Sequence, residues 1–246
     1  MVKLWQPVDW PAPKQVRAIY SLRQGGVSQP PFDSLNLGLH VSDDPDAVLT
    51  NRAMLQGAAK LPQSPYWLNQ VHSTTILDVS CPYDSEAPSA DAMTSRALSM
   101  PLAIMTADCL PVLLCDQQGD WIAAIHAGWR GLVDGIIEKT VAKYPGDPAS
   151  LVAWLGPCIG PEAFEVGKDV RSQFLDASPE AALAFVEYRE KYLANLPLLA
   201  QQRLASIGVM NVTFSHLCTY TDAASFFSYR RDGVTGRMAS IIWLSD

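Results

Sequence analysis

Hydrophobic and polar positions change period several times along this chain of 246 residues. After Asp44-Pro45, the apolar positions of DAVLTNRAMLQGAAKL recur at helical spacing. They predict a helix over 45–59, with Asp44 as its cap and Pro45 in the first turn. Residues 66–79, YWLNQVHSTTILDV, are rich in aromatic and β-branched types and predict a strand. LAIMTADCLPVLLCD and WIAAIHAGW predict two more, joined by a hairpin turn at Gln117–Asp120. GLVDGIIEKTVAKYP reads as an amphipathic helix with Leu132, Val133, Ile136, Ile137 and Val141 on one face. LVAWLGPCIG reads as a strand running into a Gly/Pro loop. Helices are expected at about 167–177 and 196–207, the second ending at Gly208, and a C-terminal β-hairpin at SFFSYRR–DGVTG–RMASIIWL. Strands and helices mix without regular alternation, which predicts an α+β fold with a largely antiparallel or mixed β-sheet in a single domain spanning 1–246.

Composition narrows the functional class. Hydrophobic residues make up 48% and charged residues 17%, which suits a packed core and not a disordered or fibrous chain. The net charge of −7 and pI near 5.0 argue against a general nucleic-acid binder or a polybasic membrane binder. MVKLWQPVDWPAPKQ lacks the apolar centre of a signal peptide, and no apolar run approaches the roughly 18–20 residues of a membrane span. Five cysteines, at 81, 109, 115, 158 and 218, form no CxxC pair. Their odd count and irregular spacing point to reduced thiols in a cytoplasm.

One stretch breaks its own pattern. MTADCLPVLLCD, residues 105–116, sets Asp108, Cys109 and Pro111 inside a predicted buried strand. With the turn near 117–120, facing residues have numbers adding to about 237, so Cys109 and His126 are near-opposite on one sheet face. Of the four histidines, His72 follows Asn69-Gln70-Val71, and His126 opens HAGWRG, a glycine turn before a helix. Thiolate and neutral imidazole are zinc ligands, and three protein ligands leave a fourth position open for chemistry. His72, Cys109 and His126 are the candidate set. Two other readings compete: a buried thiol with hydrogen-bonded core histidines, or a Cys109 nucleophile paired with His126 and no metal. Asp108 reads as a turn cap or arginine partner, or as a carboxylate that orients a ligand. Arg130, Arg230 and Arg231 follow aromatic or Gly-rich turns and suit phosphate or carboxylate, although Arg231 and Arg237 read better as surface arginines on turns. Cys81, Cys115, Cys158 and Cys218 read as structural.

These residues sit in a longer series of motifs: GGVSQPPFDSLNLGLHVSDDP, NQVHS, ADAMTS, MTADCLPVLL, HAGWRG, WLGPCIGP, FEVG, CTYTD and FFSYRRDGVTGRMASIIWL. Together they span nearly the whole chain, and the sequence resembles the YfiH/YlmD-like laccase-domain family, close to its enterobacterial branch. The family is also called multicopper polyphenol oxidoreductase or peptidoglycan editing factor. The resemblance implies a one-domain fold with β-sheets sandwiched between helices, and metal ligands at His72, Cys109 and His126. It implies purine nucleoside phosphorylase activity on adenosine, inosine, guanosine and methylthioadenosine, with adenosine deamination. It also offers hydrolysis of UDP-MurNAc-L-serine, and copper-dependent phenol oxidation as a third activity.

Residue chemistry orders these activities. Four histidines with no HxH pair cannot supply the trinuclear cluster of a blue multicopper oxidase, although copper could occupy a His₂Cys site in place of zinc. Deamination fits zinc chemistry and needs a carboxyl proton shuttle, for which Asp108 is the candidate if the strand bends at Pro111. Phosphorolysis needs an anion pocket: Arg130 or Arg230 with the glycine turn for phosphate, and Asn69, Gln70 or Asn36 for polar edges of the substrate. The expectation is a cytoplasmic zinc enzyme acting on a small molecule, either a purine nucleoside with phosphate or a UDP-linked cell-wall precursor, as a monomer or homodimer.

Overall fold

Two β-sheets face one another in this computed structural model, which describes residues 2–80 and 87–245. The four-stranded sheet is antiparallel and runs β1 (Trp5–Pro7), β2 (Val16–Ser21), β13 (Met238–Leu244), β5 (Leu102–Thr106). The six-stranded sheet is mixed and runs β12 (Asn211–Phe214), β8 (Leu151–Leu155), β6 (Leu110–Asp116), β7 (Ile122–Ala127), β4 (Ala92–Ser95), β3 (Ile76–Asp78). A small third sheet joins β10 (Phe185–Tyr188), β11 (Lys191–Ala194) and β9 (Glu165–Val166).

Strands β4 to β8 and β13 bury both faces, which explains their continuous apolar runs. In β6, Leu113 and Cys115 meet Leu102 and Ile104 of β5 and Ile242 of β13 between the two sheets. Val112 and Leu114 turn the other way, toward Leu132, Ile136, Ile137, Leu199 and Leu204. Those residues belong to α2 (Trp129–Val133), α3 (Ile136–Val141) and α5 (Leu196–Ser206). Beyond the four-stranded sheet, α1 (Pro45–Ala59) packs Leu55 on Ile19, Ala103, Ile241 and Trp243. The sheets therefore lie between helices, as expected. Among the described residues no helix is long and apolar enough to cross a membrane.

The expected helix over 45–59 is present, and the Asp44 side chain accepts the Asp46 N–H. The helices expected near 167–177 and 196–207 appear as α4 (Lys168–Ala177) and α5. The hairpin register is also as read: Pro111 faces His126 and Leu110 faces Ala127.

Four expectations need correction. Residues 105–116 are not one strand: β5 ends at Thr106 in one sheet and β6 begins at Leu110 in the other, so Ala107–Cys109 is the crossing between sheets. Residues 66–79 are mostly loop, with only Ile76–Asp78 as strand. Their side chains and backbone are tied to residues distant in sequence, as Tyr66 is bridged to Leu102 and Asn69 to Ser89. The helix after HAGWRG splits at Asp134-Gly135, where Gly135 adopts φ 84. The C-terminal hairpin does not form: α6 (Tyr229–Asp232) occupies its first arm, and β13 pairs instead with β2 and β5. Apart from the helix break, which is local to Gly135, each difference arises where long-range pairing or hydrogen bonding overrides local preference.

Candidate metal centre

The two-sheet crossing sets Cys109 at the mouth of the space between the sheets. Asp108 makes the sharp turn there, with φ 92, a region costly for any residue except glycine. Extending the hairpin register, Cys109 lies opposite Gly128 and not His126. A Cβ on Gly128 would sit 2.9 Å from His72 Cδ2 and 3.1 Å from Cys109 Sγ. The φ of Gly128, −61°, suits any residue, so the glycine is there for close approach. That gap lets the three side chains converge. The ligand atoms of His72, Cys109 and His126 all lie within 4.8 Å of one another, and Cys109 Sγ is 3.8 Å from His72 Nε2.

His72 reaches this position from a loop with φ 60, a second strained backbone. Asp91, at the end of β4 and wholly buried, holds that loop in place. Its carboxylate accepts the backbone N–H of His72 at 3.0 Å and of Ser73 at 2.6 Å, and the Ser73 hydroxyl at 2.8 Å. The same carboxylate lies 2.9 Å from His126 Nδ1. An ionised carboxylate can only accept, so Nδ1 carries the proton and Nε2 of His126 is turned toward the cluster.

These contacts set the charges of the metal-free site. Burial opposes a Cys109 thiolate, but His126 and His72 outweigh it and bring the thiol down to about 6. Burial likewise opposes charge on His126, and the Cys109 and Asp91 anions raise its pKa. Burial also opposes ionisation of Asp91, yet its hydrogen bonds from His126 and Ser73 pull it down to about 2. Cys115 and Cys158 are buried without such partners, and burial pushes Cys115 up to about 12 and Cys158 upward as well. Cys81 lies outside the described residues.

The donor set fits a metal ion. Typical zinc bond lengths put a sulfur and a nitrogen at tetrahedral angles about 3.6 Å apart, against 3.8 Å here for Sγ and His72 Nε2. Two imidazole nitrogens and one thiolate suit zinc or copper.

A cavity of about 480 Å³ opens over the cluster. Its walls include the aromatic residues Trp129, Phe164 and Tyr229, the cations Arg230 and Arg237, and His40. Partial burial, then Arg237 and Arg52, hold His40 down to about 4.

The other sequence candidates divide. Asp108 lines the cavity, with its carboxylate filled by three donors: Thr219 Oγ1 at 2.6 Å, Ser228 Oγ at 3.0 Å and the Arg230 N–H at 2.6 Å. Arg230 lines it too, with Nη1 on the Glu165 carbonyl. Gln70 lines it, but both ends of its amide are spent on the backbone of Met105. Asn69, Asn36 and Arg130 are not among its walls. Asn69 bonds Ser89, Asn36 is buried and bonds Gly38, Asp43 and Arg237 N–H, and Arg130 is exposed beside the Trp129 ring. Arg231 is spent on the carbonyls of Thr219, Tyr220 and Phe226. Arg237, expected on a surface turn, instead faces the cavity. Asp91 was not singled out as a candidate. Its signal lay in ADAMTS, a lone carboxylate opening a fully buried strand.

Residues 17–245 match the model of the multi-copper polyphenol oxidoreductase laccase family. A Shigella flexneri protein named purine nucleoside phosphorylase YfiH is 51% identical over 245 residues, covering 99% of this chain and 100% of that one. Among solved structures, Neisseria meningitidis protein NMB0706 superimposes with a TM-score of 0.93 at 45% identity, covering 99% of this chain and 100% of that one. YlmD from Geobacillus stearothermophilus does so at 0.92 and 29% identity, covering 100% and 98%. The chain belongs to the multi-copper polyphenol oxidoreductase laccase family.

Proposed function

We propose that this protein is a zinc-dependent purine nucleoside phosphorylase that cleaves the glycosidic bond of a nucleoside with phosphate. The observation that carries this reading is the juxtaposition of the His72–Cys109–His126 cluster with a cavity walled by aromatic rings and two guanidinium groups. The cavity volume is typical of small-ligand sites. The name of the Shigella relative supports the same reading.

His72, Cys109 and His126 would hold the zinc, which when bound supplies a positive charge that stabilises charge developing on a substrate oxygen. The chain's own groups do the rest. Trp129, Phe164 and Tyr229 present flat apolar surface to a purine. Arg230 and Arg237 attract and orient phosphate, Arg237 taking the role that sequence reasoning assigned to Arg130. Asp91 fixes the His126 tautomer and the His72 loop. Asp108 positions the Arg230 backbone instead of moving protons, because three donors already occupy its oxygens.

A multinuclear copper centre does not suit this cavity. Besides His72 and His126 it offers only His40, and His216 stacks on Phe214 beside a different cavity. Copper in the single His₂Cys site remains compatible with the donor set.

The test is to incubate purified protein with adenosine, with and without phosphate, and resolve the products. Phosphate-dependent adenine and ribose 1-phosphate are expected. Inosine formed without phosphate would make the protein a deaminase. No product from any purine nucleoside, together with turnover of UDP-MurNAc-L-serine, would overturn the reading in favour of cell-wall editing.

A further inference from the structure

A second and larger cavity, about 670 Å³, shares no wall residue with the metal cavity. It forms at the β1 edge of the four-stranded sheet, beside the C-terminal end of α1, and takes wall residues from both faces of the sheet. Arg17 and Trp243 are directly paired across β2 and β13, so their side chains leave the sheet on the same face. Trp5 enters from β1, and Trp10 and Lys14 from the segment joining β1 to β2. Lys60 enters from the end of α1, where its φ of 51° caps the helix and turns the chain toward Pro62.

The wall chemistry departs from the rest of the molecule. Three indoles and three cations line this groove, and among the described residues no carboxylate does. No ion pair among the described residues involves Lys14, Arg17 or Lys60. On a chain with 25 acidic and 18 basic residues, such a group makes a local positive field against a negative whole. A purely apolar occupant would leave those cations without counter-charge, and a bare inorganic anion would leave the half-buried Trp5 and Trp10 uncovered, Trp243 being buried already. Indole faces stack well on a nucleobase, and ammonium and guanidinium groups suit phosphate. We propose that this groove binds a nucleoside phosphate, with its base against the half-buried Trp5 and Trp10 indoles and its phosphate on Lys14, Arg17 and Lys60.

Indole N–H resonances of the ¹⁵N-labelled full chain separate this site from the metal cavity, because the seven tryptophans include Trp129, which lines only the latter. Titration with AMP is expected to shift Trp5 and Trp10. Adenosine or inorganic phosphate should move those two signals with at least about tenfold weaker apparent affinity, since each offers half of the recognition. The double variant R17A/K60A, at two exposed positions, should weaken AMP at the groove about tenfold and leave the Trp129 response to adenosine unchanged. AMP shifting only Trp129, or adenosine matching AMP at the groove, would overturn the proposal. A Glu-rich peptide that moves the groove signals where AMP does not would overturn it in favour of a protein partner.

Discussion

Two buried aspartates, Asp91 and Asp108, do similar work, one tied to His72 and His126 and the other in the cavity wall. Each gathers donors from segments far apart in sequence: Asp91 from residues 71–73 and from His126, Asp108 from Thr219, Ser228 and Arg230. The difference lies in what they grip. Asp91 bonds the ring of one candidate ligand, His126, and the backbone of another, His72; Asp108 bonds neither ring and secures the wall that carries Arg230. The candidate ligands and the cavity wall are thus held by separate carboxylates, and the two should fail separately.

The largest effect expected comes from the ligands themselves. His72→Ala or Cys109→Ser should remove the bound metal and lower phosphorolysis roughly a thousandfold or more, read by metal content and initial rates. If either variant keeps both metal and rate, the division between ligand-holding and wall-holding carboxylates loses its basis.

Asp91→Asn should weaken metal affinity roughly 10–100-fold, because the amide cannot accept from Nδ1 and the loop amides as the carboxylate does. Competition with a metal-binding dye measures this. Asp108→Asn should leave metal affinity unchanged and raise KM about tenfold, since a buried NH₂ would face donors and displace the Arg230 segment. Equal metal loss in both variants would break the comparison.

The pH dependence sharpens it. Asp91 is held at about 2 against an ordinary value of 3.8. Its stabilisation is therefore complete above about pH 4 and is lost as pH falls through about 2, an effect of about 2 kcal/mol. Urea midpoints of the metal-free protein between pH 6 and pH 2.5 should show this loss, and Asp91→Asn should lack that part of it. The smallest effect concerns the thiol. With Cys109 brought down to about 6, the metal-free protein should react with iodoacetamide at pH 7 several-fold faster than an ordinary cysteine. Metal should suppress the reaction.

Local chemistry made much of the scaffold readable. The Asp44-Pro45 cap located α1, and the Gln117–Asp120 turn set the β6–β7 register to within a residue or two. That register brought Cys109 and His126 near one another, although the true partner of Cys109 across the hairpin is Gly128. The motifs carried the ligand candidates, and the structure brings all three together. What could not be read locally depends on distant partners. Nothing near Asp108 in sequence announces Thr219 or Ser228, so the break between β5 and β6 was hidden in an apolar run. Asp91 stood out in ADAMTS only as a lone carboxylate at a buried strand, and its role was hidden because its partners lie 18–35 residues away. Arg237 looked like a turn arginine because its cavity is built from both ends of the chain.

The most direct test of the metal centre is X-ray absorption at the metal edge of protein purified without chelators. One sulfur at about 2.3 Å with nitrogens at about 2.0–2.1 Å is predicted, with the sulfur shell lost in Cys109→Ser. An active protein with no metal, or a metal shell without sulfur, would contradict the account.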